Sequence, residues 1–83
     1  MGTKINPGEF DCYGNALPDE PMFVLLARDP EFSTLVRQWA NQRASDIECG
    51  ERPISDMSLV MEAHKCATEG AKWRKDNFGK WRK

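Results

Sequence analysis

No apolar run in this chain comes near the roughly 20 residues that a membrane-spanning helix needs, since the longest, Met22 through Ala27, stops at Arg28. Cysteine is scarce and odd in number: Cys12, Cys49 and Cys66 form no CxxC pair, so neither a disulfide framework nor a zinc knuckle is expected. Free thiols, and with them a cytoplasmic protein, are the expectation. The one histidine, His64, stands two residues from Cys66. On a helix that spacing turns the two side chains about 200° apart, so they share no mononuclear site and no metal is expected. The sequence also lacks a nucleophile elbow, a glycine loop that cradles phosphate, and any Cys/His arrangement of catalytic spacing. Neither an enzyme nor a cofactor is expected. No basic, apolar leader stands at residues 1–10, so no signal peptide is expected.

What is present is one small domain. Eighty-three residues with 40% hydrophobic and 30% charged side chains hold too much apolar material for a disordered chain, and too few residues for two cores. A chain of this size hides little more than about 60% of its unfolded surface, so self-association is the expected source of extra stability. Net charge is only -1, but it is unevenly spread. Residues 72–83 set six basic side chains against Asp76, a balance of +5, and residues 1–71 carry -6.

The predicted fold is all-α. Residues 1–18 are dense in turn formers (Gly2, Pro7, Gly8, Gly14, Asn15, Pro18) and read as an irregular arm that Phe10, Tyr13 and Leu17 can pin to the body. Residues 19–77 form the helical domain and 78–83 a basic, aromatic tail. Asp19, Glu20 and Pro21 open a short first helix over 19–29, although the apolar residues 22–26 fit a buried strand as well. Asp29 and Pro30 begin a second helix. Its apolar stripe is Phe32, Leu35, Val36, Trp39, Ala40, Ala44 and Ile47, and Gly50 makes a left-handed cap ahead of Pro53. A third helix starts near Pro53 or Ser55 and runs to about Asn77. Its small residues Ala63, Cys66, Ala67, Gly70 and Ala71 admit a close neighbour. The second and third helices should form an antiparallel hairpin with the first laid across it. Incomplete cover of Trp39, Met61 and Trp73 should drive hairpins to pair into an oligomeric bundle.

Two constellations carry chemistry. Arg28, Arg37 and Arg43 can converge near the helix junction to grip an anionic group, with Trp39 or Tyr13 stacking on a ring. The competing reading pairs these arginines at the surface with Glu31, Asp46 or Glu48. In the tail, Trp73, Arg74, Lys75, Lys80, Trp81 and Arg82 interleave aromatics with cations, which suits a partner protein or single-stranded nucleic acid. The same cations complement a helix C-terminus, and the acidic body opposes binding to nucleic acid. Asp56 and Glu62 near the start of the third helix argue against a DNA-reading helix.

The strings DEPMFVLLARD at 19–29 and LVRQWA at 35–40, with Lys-Cys-Ala at 65–67 ahead of Trp73 and Arg74, resemble short accessory proteins of bacteriophage and prophage genomes over about residues 10–75. That resemblance implies a counter-defence or host-takeover protein that works by binding. It sequesters a small anionic, nucleotide-type signal, or it docks on a host protein.

Overall fold

The computed structural model describes residues 1–8 and 12–81. Among them the regular structure is helical, with no strand. A single turn, α1 (Cys12–Asn15), lies inside the arm, followed by α2 (Phe32–Glu48), a 3-10 turn (Ile54–Asp56), α3 (Met57–Asp76) and a last turn, α4 (Phe78–Trp81).

α2 starts two residues later than Pro30. Asp29 does serve the helix entry, its carboxylate accepting the Glu31 N–H at 2.9 Å and its carbonyl the Phe32 N–H at 3.1 Å. At the other end Gly50 takes φ +81°, the left-handed conformation that glycine adopts without a Cβ clash. The N–H of Gly50 returns to the carbonyl of Ile47 and that of Glu51 to Asp46 at 2.8 Å, the paired bonds of a Schellman cap. Ser55 and Asp56 do not cap α3 with a side chain. The 3-10 turn leads the chain in, and the Asp56 carboxylate is used elsewhere.

α2 and α3 pack against each other in opposite directions: Ser33 meets Ala67, Arg37 meets His64 and Thr68, and Arg43 meets Asp56. The buried residues at this seam are Ala40, Ile47, Val60, Ala63, Ala67 and Gly70, none of them large. Small side chains let the two backbones come close. At Gly70 a methyl group would overlap the Phe32 ring, so glycine lets the aromatic residue at the start of α2 lie flat on α3. The contact face of α2 is turned from the predicted stripe toward Ser33 and Arg37, which are half-buried, while Leu35 and Trp39 stay exposed.

The predicted first helix does not form. Residues 20–26 run without helix, turn or bend. Pro21 and Pro30 leave room for about two turns between them, too short a helix to stand without an amphipathic face, and five consecutive apolar residues supply no such face. The anchors of the arm differ too. Tyr13 and Leu17 are exposed, Phe10 lies outside the described residues, and the Met1 side chain packs on the core instead.

Candidate functional site

The predicted arginine set is divided by the fold. Arg37, half-buried, donates to Nδ1 of His64 at 3.2 Å and to Oγ1 of Thr68 at 2.7 Å, across the seam between α2 and α3. Because guanidinium only donates, the bond to Nδ1 requires His64 to carry its proton on Nε2. Arg43 binds the Asp56 carboxylate at 3.2 Å and lies 4.9 Å from the centre of the Trp39 ring. Trp39, expected to stack on a ring of a bound ligand, is instead covered by Arg43, whose carboxylate partner comes from the far side of the loop rather than from Glu31, Asp46 or Glu48. Tyr13 sits on α1, three-quarters exposed.

Arg28 belongs to a different place. The arm residues Met1 to Lys4, the 25–28 segment and α3 enclose a groove of about 720 Å³. Leu25, Phe32 and Trp73 give it apolar walls, and Lys4, Arg28 and Lys65 bring cations against the carboxylates of Glu62 and Glu69. Arg74 donates from Nε to the Arg28 carbonyl at 3.1 Å, tying the C-terminal half of α3 to the segment that carries Arg28. Thus Trp73, read from sequence as part of a partner- or nucleic-acid-binding set, lines the groove, and Arg74 of the same set anchors the segment beside it. Lys75 and Lys80 are exposed beyond it, while the Trp81 side chain and Arg82 lie outside the described residues.

Two groups on the groove floor are electrostatically uncomfortable. Oε2 of Glu62 is buried with no hydrogen-bond partner, a costly state for a carboxylate oxygen. Burial also pushes the Cys66 thiol above its ordinary value, an effect the nearby Met1 amino group opposes and Glu69 and Glu62 reinforce. Phe32, Lys4, Lys65 and Glu62 were not read from sequence as site residues. Gly70, three residues before Trp73, was the available signal that a ring from elsewhere must lie on this stretch of α3.

Among the described residues no cluster of His, Cys, Asp and Glu can hold a metal ion, and no helix is long and apolar enough to cross a membrane. Comparison with protein-family models, curated proteins and solved structures finds no match.

Proposed function

We propose that this chain is a non-enzymatic binding protein that sequesters a small anionic, nucleotide-type molecule in the groove between its arm and α3, working as an oligomer of helical hairpins. The observation that carries the reading is the groove itself. Its volume falls within the range of small-molecule sites, about 300–1,000 Å³, and it joins an indole wall to three cations against two carboxylates. Trp73 offers a ring a stacking face, and Arg28 offers a phosphate two parallel donors. The resemblance to phage accessory proteins supplies the setting, in which removing a nucleotide signal disarms a host defence.

Calorimetric titration of the wild-type protein with cyclic mononucleotides, cyclic dinucleotides and adenosine-diphosphate-ribose tests it. Heat is expected with at least one of these. Loss of a charge-assisted contact in Arg28→Ala, or of a stacking contact in Trp73→Ala, should weaken binding by roughly tenfold or more. No heat from any of them, in a folded protein, overturns the reading and favours docking on a host protein, for which exposed Met22, Phe23, Val24 and Leu26 would be the surface.

A further inference from the structure

Glu62, Cys66, Glu69 and Trp73 recur on α3 at the spacing of one helix face, so a single stripe lines the groove along its length. At the rise of an α-helix, residues 62 and 73 stand about 16 Å apart along the axis. The two ends differ in chemistry. At the Trp73 end the indole is partly exposed, and the Arg28 guanidinium makes no ion pair or hydrogen bond among the described residues. At the other end the Glu62 carboxylate also makes no ion pair, while Lys65 is matched with Glu69 at 3.9 Å. Oε2 of Glu62 is out of reach of solvent and has no hydrogen-bond partner. Gly8 closes over this end: a methyl group there would stand 2.8 Å from Glu62 Oε1 and would overlap the Met1 carbonyl. Among the described residues, 2–8 hydrogen-bond only with one another, the Thr3 N–H to the Asn6 carbonyl at 3.0 Å and the Asn6 N–H to Thr3 Oγ1 at 2.9 Å. Residues 2–8 can therefore lift from Glu62 without breaking a hydrogen bond to α3.

A carboxylate oxygen that is already dry loses no hydration when a donor reaches it, so charge-assisted bonds to it count nearly in full. We infer, on the reading of the groove as a nucleotide site, that Glu62 reads a guanine base. The ligand is a cyclic dinucleotide with guanine at the Glu62 end and its second base stacked on Trp73 beside Arg28. Guanine is the base whose pairing edge sets two donors side by side, N1–H and the N2 amino group, and these match the two oxygens of a carboxylate. Adenine and cytosine set an amino group beside a ring nitrogen that accepts, and uracil flanks one N–H with two carbonyls. Each of those turns a lone pair toward Glu62, and a site that leaves buried acceptors facing one another rejects the ligand strongly. The span of the groove calls for the second base. A cyclic mononucleotide does not reach from Glu62 to Trp73, whereas two nucleosides on one phosphodiester ring do. The two phosphate charges of that ring are offset by Lys4 and Arg28, neither of which has an ion pair among the described residues.

Calorimetric titration of the full chain with the cyclic dinucleotides of two guanosines, of guanosine with adenosine, and of two adenosines tests the role of Glu62. Both guanine-containing ligands should bind roughly tenfold or more tightly than the diadenosine ligand. Cyclic guanosine monophosphate, which meets only one end of the groove, should be weaker than the diguanosine ligand by a similar factor. Glu62→Gln presents one acceptor and one donor, the complement of the adenine edge, so its preference should move toward the diadenosine ligand while the helical circular dichroism persists. A purely structural Glu62 would instead weaken all ligands alike. Diadenosine binding as tight as diguanosine in the wild type overturns the guanine assignment and leaves the nucleotide groove standing, as does heat confined to adenine ligands or a folded Glu62→Gln protein that keeps the wild-type preference. Cyclic guanosine monophosphate binding as tightly as the diguanosine ligand overturns the two-base span. No heat from any nucleotide removes the groove reading and the guanine assignment together. Should Glu62→Gln fail to fold, the wild-type ratio of diguanosine to diadenosine affinity decides alone.

Discussion

At the scale of single residues, Cys66 shows how the arm changes the chemistry of what it covers. Cys12 and Cys49 are exposed, and Cys66 is partly covered by the groove and the Met1 end of the arm. A thiol reacts as its thiolate, and burial disfavours that charge, so Cys66 should be alkylated well after the other two, as mass spectrometry of a timed iodoacetamide reaction would record. The same shift has a consequence for stability. Burial raises the folded-state value above the ordinary 9.0, so the unfolded chain loses its proton first as pH rises. The contribution is complete below that ordinary value and is lost as pH climbs through the higher folded value. Stability should therefore fall on the alkaline side of pH 9, and Cys66→Ala should flatten that part of the profile. Equal alkylation rates for all three thiols would contradict the burial.

At the scale of elements, the register of α2 against α3 is held near the loop by Trp39, Arg43 and Asp56. The ion pair is only about one-fifth to one-quarter exposed at its two side chains, which places it above a fully solvated surface pair. Ion pair and stack together are worth about 1–2 kcal/mol. Arg43→Ala should lower the melting temperature by roughly 4–8 °C for each kcal/mol lost in a domain of this size. A double-mutant cycle with Asp56→Ala should return a coupling of about 0.5–1 kcal/mol, and a coupling indistinguishable from zero would deny the clasp. This contact was only half legible in the sequence. The spacing of Trp39 and Arg43, one helical turn apart, announces a stack. The carboxylate does not announce itself, because Asp56 at the start of a helix looks like a cap, and only the closure of the loop brings it to Arg43. Local signals read well in part: the left-handed Gly50 and the small residues Ala63, Ala67 and Gly70 of α3 follow from neighbours a few positions away, as do Ala40 and Ile47 of the α2 stripe, whereas Leu35 and Trp39 of that stripe stay exposed. The failures differ in kind. Asp19, Glu20 and Pro21 carry start signals for a helix, but Pro21 and Pro30 leave a stretch below a stable length, a local limit that the start signals hide. The arginines are a non-local failure: Arg37 is taken up by His64 and Thr68 of α3, Arg43 by Asp56 of the 3-10 turn, and Arg28 by the arm's groove.

At the scale of the whole molecule, the single chain exposes more surface than its mass accounts for. Its accessible area is 6793 Å², against about 5,000 Å² for a globular monomer of 9.5 kDa. Its radius of gyration is 13.9 Å, where a compact chain of 83 residues has about 12 Å. The excess is of the order of what one protomer contributes to a substantial interface, and much of it is apolar, with Trp39, Met61 and Trp73 at 40%, 67% and 41% exposure and Phe23 at 83%. Among the described residues the buried side chains are Ala, Val and Ile, beside Gly70, and such small groups give little dispersion and hydrophobic energy to set against the ordering of the chain. Folding and association should then be one thermodynamic event. If the folded state is an assembly and the unfolded state a single chain, mass action stabilises the fold by about 1.4 kcal/mol for each tenfold rise in concentration, counted per dimer unfolded. The urea midpoint followed by circular dichroism should rise visibly between roughly 5 and 500 μM protein. A wild-type midpoint independent of concentration would mean that the small seam of α2 on α3 carries the fold alone.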